Sequence, residues 1–171
     1  LVKGLEKHPQ VALMSDEIYG QMTYDGREHV TLLSFPSIRD RLILLDGWSK
    51  TYAMTGWRLG YSVWPASLIE PATRLAINCH SCVNASAQFA GIAALEGPQG
   101  DVTRMVAAFE ERRKVIVSEL NAIPGISCIE PGGAFYAFPN ISKSGFSSRQ
   151  LESKFLNEAG VATLSGTSFG S

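Results

Sequence analysis

Lys50 and Arg58 are the two side chains whose types and spacing could do chemistry together. They lie in the segment Ser49-Lys50-Thr51-Tyr52-Ala53-Met54-Thr55-Gly56-Trp57-Arg58-Leu59-Gly60-Tyr61, just after the apolar run Leu42-Ile43-Leu44-Leu45. A lysine at the mouth of a sheet, desolvated and near another cation, gives up its proton readily, and the free amine can attack a carbonyl carbon. The arginine's planar fork of donors suits the phosphate of whatever carries that carbonyl. Asp16 and Tyr19 follow another apolar run, Val11-Ala12-Leu13-Met14, and add a carboxylate and a phenol. Each residue alone has a plain explanation. Asp16-Glu17 reads as a helix cap, Lys50 as a surface lysine, and Gly56-Trp57-Arg58 as a turn with arginine lying over an indole. Their combination favours a site, and an amine paired with a phosphate grip suggests pyridoxal phosphate.

Stepping outward, the elements that must hold these residues alternate between strand and helix. Val11 to Met14 and Leu42 to Leu45 are short apolar runs, the pattern of strands covered on both faces. Leu59 to Trp64 is a third candidate strand, ending at Pro65. Ser67 is positioned to cap a helix running towards Cys79, with Pro71 in its first turn. Ser86 to Glu96 is so poor in charge that it predicts a buried helix, stopped by Gly97-Pro98. Asp101 is the expected cap of a long helix with Val102, Met105, Val106, Phe109, Ile116 and Leu120 at helical spacing. Glu110 to Lys114 are expected on its solvated face. Ile126 to Ile129 and Ala134 to Phe138 are expected strands about Pro131-Gly132-Gly133. A last helix uses Leu151, Phe155 and Leu156, closes at Gly160 and leads into a strand over Val161 to Leu164. The change of texture near Gly100 divides the chain into 1–100, part of a doubly wound, mostly parallel α/β domain, and 101–171, part of a smaller α+β domain.

Composition narrows the function classes. The 171 residues carry 15 basic and 16 acidic side chains, a net charge of −1, with no block of like charge to grip nucleic acid or a membrane surface. No apolar stretch approaches the ~18 residues of a membrane span, and no signal-peptide pattern opens the chain. Three cysteines, an odd number, argue for free thiols in a reducing, cytoplasmic setting. Cys79-His80-Ser81-Cys82 fits C-x-x-C, but no second pair follows to complete a metal site, and the segment ahead has helical rather than strand spacing. No metal is therefore expected. Both ends read as cut: the chain opens without methionine and stops in mid-loop.

The segment from Ser49 to Tyr61 resembles the lysine signature of the class I, aspartate aminotransferase-like enzymes of fold type I. Asp16-Glu17-Ile18-Tyr19 is similar to that family's strand-end aspartate and tyrosine, and Gly133-Ala134-Phe135-Tyr136 to its small-domain strand beside the substrate. The resemblance covers nearly the whole chain. It implies an aminotransferase that moves an amino group between an amino acid and a 2-oxo acid. Lys50 would carry pyridoxal 5′-phosphate as a Schiff base and shuttle the proton. Asp16 would pair with the pyridine nitrogen and Tyr19 with the ring's phenolic oxygen. Arg58, helped by Ser49, would take the phosphate, and Phe135 would wall the substrate pocket. It also implies a homodimer. Gly47 departs from the family, which often has a phosphate-binding serine there. Several family parts are not in this sequence: a Gly-rich phosphate loop, a ring-stacking aromatic, an asparagine and the arginine for the substrate carboxylate. Two alternatives stay open: a lyase or synthase of the same fold, and a non-catalytic piece or structural partner. A nucleotide-binding α/β domain would need G-x-G-x-x-G or G-x-x-x-x-G-K-[ST], and neither is present.

Overall fold

The computed structural model describes residues 1–170. They fall into two compact units, Leu1–Val106 and the segment from Ala107 onward.

The first unit is built on a three-stranded mixed sheet in the order β1 (Leu13–Asp16), β2 (Leu42–Gly47), β3 (Gly60–Val63). β1 runs parallel to β2, with Leu13 opposite Leu42 and Asp16 opposite Leu45. β3 returns antiparallel, with Leu44 opposite Val63 and Gly47 opposite Gly60. Alternation along β2 buries Leu42 and Leu44 against a core that includes Met22, Tyr24 and Ile38. The strand expected over Val11 to Met14 starts two residues later. Val11 is held in a turn, its N–H donating to His8 O, while Arg41 Nη1 donates to the carbonyls of His8 and Val11. β1 is also not covered on both faces, since Met14 is 67 % exposed.

Helix α1 (Val2–Leu5) is a single turn, and two longer helices follow the sheet: α2 (Ala66–His80) and α3 (Ala85–Glu96). Pro65, not Ser67, occupies the cap of α2, and Pro71 lies inside the helix rather than in its first turn. There it cannot donate to the carbonyl four residues back, a local weakness. Asn84 caps α3, its Oδ1 accepting from Ala87 N at 3.0 Å. Only Ala87 and Gly91 of α3 are buried, and Phe89 is 75 % exposed. The expectation of a buried helix fails because, among the described residues, the outward apolar face stays uncovered.

Helix α4 (Gly100–Ala122) starts before the division and supplies the first element of the second unit. Asp101 lies in its first turn instead of at its cap. The apolar residue buried there is Val117, which the expected face did not include, whereas Ile116, which it did include, is 47 % exposed. The larger correction is Arg113, expected outside and found buried. Its Nη1 donates to Pro131 O at 2.9 Å, and its Nη2 lies 3.2 Å from Glu130 Oε1. A buried guanidinium is tolerable when its donors meet a carboxylate and a carbonyl. Helix α5 (Ser148–Ala159) opens on a capping box between Ser147 and Gln150 and closes at Gly160 in the left-handed region, φ 66°.

The strands expected over Ile126 to Ile129, Ala134 to Phe138 and Val161 to Leu164 do not form. Ser127 and Asn140 form an antiparallel bridge, and Gly133 is a bridge residue as well. Strands need neighbours to satisfy their backbone groups. At Cys128 that need is met by the Asn121 amide, which accepts from Cys128 N at 2.8 Å and donates to Cys128 O at 3.0 Å. Ala134, at φ 60°, breaks the extended path directly. Among the described residues, no helix is long and apolar enough to cross a membrane.

Candidate active site

Sheet register puts the sequence-predicted residues of the first unit at one edge. Asp16 is the last residue of β1 and lies opposite Leu45 of the parallel strand β2. β2 ends at Gly47 and β3 begins at Gly60, so residues 48–59 connect two antiparallel neighbours over that same end. Asp16, Tyr19, Ser49, Lys50 and Arg58 therefore emerge at the carboxyl end of the parallel pair, the usual ligand-binding side of such sheets.

The connection is tightly folded. Trp48 N donates to Leu59 O at 3.3 Å and closes its base. Tyr52 N and Ala53 N donate to Trp48 O and Lys50 O, both at 3.2 Å, so turns wrap Ser49 and Lys50. Trp48 Nε1 donates to Gly91 O at 3.0 Å, tying the loop to α3. That approach needs glycine: a Cβ on Gly91 would stand 2.5 Å from Leu59 Cδ2 and 3.2 Å from Trp48 Cε2. Gly47 has the same explanation. A Cβ there would meet Gly60 Cα and Leu59 O at 2.9 Å, so β3 occupies the place a serine side chain would leave from.

Lys50 Nζ lies 5.7 Å from the centroid of the Tyr19 ring, within cation–π range. The Asp16 carboxylate is exposed, and its Oδ1 accepts from Ile18 N at 3.2 Å. No helix follows Asp16-Glu17, so these residues are not a helix cap. Arg58 sits in the left-handed region at φ 53°, ψ 47°, after the short 3₁₀ turn Thr55–Trp57, and its Nη1 donates to Thr55 O at 2.9 Å. A non-glycine residue there costs on the order of 1 kcal/mol, a strain more often kept at functional positions than elsewhere. Ser49 is half-buried in the turn ahead of Lys50. Phe135 belongs to the second unit, where it stacks on Phe109 at 5.3 Å between centroids and tilts against Tyr136 at 5.1 Å.

Two groups beside these residues escaped sequence reasoning. Glu17 is only 7 % exposed; its carboxylate accepts from Ser15 Oγ at 3.1 Å and from Leu32 N at 3.0 Å, and lies 2.7 Å from His29 Nε2. Burial pushes its carboxyl up, yet the bonds from His29, Leu32, Thr31 and Ser15 outweigh that and hold it below its ordinary value. Its adjacency to Asp16 was visible in sequence, but its partners lie 12 and 15 residues on. The second group is Asp46, whose Oδ2 accepts from Tyr61 OH at 3.0 Å across the β2–β3 pair. Desolvation first, then the hydrogen bond and charge of Asp46, raise the Tyr61 phenol from 10.0 to about 12. Cys79 and Cys82 are exposed free thiols and Cys128 a buried one.

Comparison with known proteins gives a consistent result. A family model described as aminotransferase class I and II matches residues 1–171. An aspartate aminotransferase of Geobacillus stearothermophilus is 39 % identical over 166 residues, covering 94 % of this chain and 42 % of that protein. The crystal structure of the aspartate aminotransferase from Rhizobium meliloti superposes with a TM-score of 0.92 at 35 % identity, covering all of this chain and 46 % of that one. An aromatic aminotransferase from Pyrococcus horikoshii OT3 gives 0.93 at 32 % identity, over 99 % and 46 %. The chain thus spans less than half the length of the relatives it matches.

Proposed function

Because the chain belongs to the class I and II aminotransferases, with their α/β fold, we propose that in its whole protein it supplies part of a pyridoxal 5′-phosphate site. The reaction served is transfer of an amino group between an amino acid and a 2-oxo acid. The observation that carries this is the shared sheet edge: a lysine amine over a phenol ring, a strand-end carboxylate and a guanidinium within one strand connection and the strand end beside it.

The donor set fits that cofactor. Its aldehyde needs an amine, its ring nitrogen a carboxylate, its phenolic oxygen a hydrogen-bond donor and its phosphate a cation. When bound, the cofactor supplies an electron-withdrawing ring that stabilises negative charge at the substrate α-carbon. Lys50 would hold the cofactor through Nζ, and its amine would move the proton at the substrate α-carbon. Asp16 would pair with the ring nitrogen through its exposed carboxylate. Tyr19 donates its phenol hydrogen to the ring's oxygen and shares a short reach with Nζ. Arg58, with Ser49 beside Lys50, binds the phosphate. Phe135 contributes an apolar wall for the substrate. The whole protein is a homodimer in this proposal, with α2 and α3 offering apolar residues such as Leu75, Ile77 and Phe89 for burial.

Borohydride reduction of the cofactor-loaded whole protein, followed by peptide mapping, tests the assignment. A pyridoxyl group is expected on Lys50, and one found on another lysine refutes it. The same protein should convert an amino acid only when a 2-oxo acid acceptor is supplied. Release of ammonia and pyruvate without acceptor identifies a lyase instead.

A further inference from the structure

We propose that Glu17 is a positioning residue: its buried carboxylate, fastened to His29 and Leu32, holds the turn that presents Asp16 and Tyr19 beside Lys50. The inference rests on the cofactor site proposed above and adds a residue that site does not itself contain.

Glu17 lies between the two side chains it would position. On its N-terminal side, Asp16 ends β1, and Glu17 N donates to Leu45 O at 2.8 Å, so the backbone of Glu17 is still fastened to β2. On its C-terminal side, Glu17 O accepts from Gly20 N at 2.8 Å, closing a turn with Ile18 and Tyr19 at its corner. Tyr19 O then accepts from Met22 N, also at 2.8 Å. The main chain of Glu17 therefore joins the sheet to the turn that carries Tyr19.

Its side chain fixes that joint from the other direction. Oε1 accepts from Ser15 Oγ and from Leu32 N, and Oε2 meets His29 Nε2. The partners come from β1 and from the chain that returns after Tyr24, whose ring, like Met22, is 1 % exposed. The packing leaves little slack. A Cβ on Gly20 would already meet His29 Cδ2 at 3.1 Å and Glu17 O at 3.2 Å. A buried carboxylate without partners is costly, so loss of these bonds would force Glu17 to turn out to water and take the turn with it. Asp16 and Tyr19 would then lose their fixed relation to Lys50, although neither is itself altered. Small misplacements of this kind weaken a site far more than they weaken a fold.

The test uses the whole protein with pyridoxal 5′-phosphate as the probe, and three variants: Glu17→Ala, His29→Ala and Glu17→Gln. Two readouts would not move if Glu17 were merely structural: the Kd of the cofactor, and the pH midpoint of the bound cofactor's visible absorption band. Glu17→Ala should raise the Kd roughly tenfold and displace the band's midpoint, the scale of losing a charged hydrogen-bond set. His29→Ala, at a half-exposed position, should move both the same way by roughly threefold, since only one of the hydrogen bonds to Glu17 is lost. Glu17→Gln should restore both, because the amide still accepts from Leu32 and can donate to a neutral imidazole. If Glu17→Ala does not fold, His29→Ala decides by the same readouts. Variants that lower Tm while Kd and midpoint stay within about twofold of the unaltered protein overturn the proposal. An unaltered protein that binds no cofactor overturns the site beneath it, and this proposal with it.

Discussion

Gly47→Ala asks whether the approach of β3 to β2 sets the shape of the loop that carries Lys50. The added Cβ would stand 2.9 Å from both Gly60 Cα and Leu59 O. Carbon atoms pack best near ~3.5–4.0 Å, so the carbon–carbon contact is too short by at least roughly 0.6 Å. Both neighbours are backbone, and no rotamer change can relieve them. The strands must separate locally, straining the Trp48 N to Leu59 O bond that closes the loop's base. Overpacking of this kind costs about 1–3 kcal/mol. Replacing glycine returns about 0.4–1 kcal/mol by restricting the unfolded chain. The net expectation is a loss of about 1–2 kcal/mol, a shift of roughly 5- to 30-fold in the folding equilibrium. Urea unfolding of the whole protein should show a lower midpoint at unchanged slope. Gly47→Ser should lose as much, and its added hydroxyl should not tighten cofactor binding, because the strand that bears it has been displaced. A midpoint that stays in place for both variants refutes the steric argument. A serine variant that binds the cofactor more tightly refutes the link from strand approach to loop shape.

Two further outcomes follow from single contacts. The Tyr61 phenol should titrate near 12 rather than 10, read as the absorbance difference between the unaltered protein and Tyr61→Phe, and Asp46→Asn should bring it back towards 10. Because the folded value lies above the ordinary one, the stability linked to Tyr61 is complete below pH 10 and is lost as pH rises through about 12. A phenol already titrating at 10 in the unaltered protein refutes the Asp46 contact. Ser147→Ala removes the capping box of α5, whose hydroxyl meets Gln150 N at 3.3 Å, and should cost about 1 kcal/mol in urea unfolding. An unchanged midpoint would mean that α5 does not depend on its cap.

What the sequence made legible, and what it hid, divides by the distance between partners. The segment from Ser49 to Tyr61 is local: the residues that fold the connection and those with chemistry lie within one run, so spacing alone was informative. Asp16 and Tyr19 were legible for the same reason, as a strand end and the turn after it. The strand patterning of Leu42 to Leu45 and Leu59 to Trp64 marks β2, which runs two residues further to Gly47, and β3, which lies inside the second run; the two strands pair with each other within this chain. Glu17 was not legible, because its meaning depends on His29 and Leu32, and a carboxylate after a strand looks the same with or without them. Arg113 was hidden likewise, since only the return of Glu130-Pro131 makes a buried guanidinium tolerable.

The failures have a different physical origin, and it bears on the fold. Ala134 to Phe138 and Val161 to Leu164 have the composition of strands, and α3 has that of a covered helix, yet the former do not become strands among the described residues and Phe89 is 75 % exposed. Composition and periodicity report the environment a segment is suited to, not whether this stretch of chain provides it. β-Propensity in particular measures fit to a half-buried pleated surface, so without that surface it has no expression. The segments that do not become strands and the helix face that stays exposed are thus one observation made twice: each is patterned for an environment it does not meet among the described residues. The candidate site escapes this limit because its two strand pairs, its loop closure at Trp48 and its Glu17 brace all lie within Leu1–Val106.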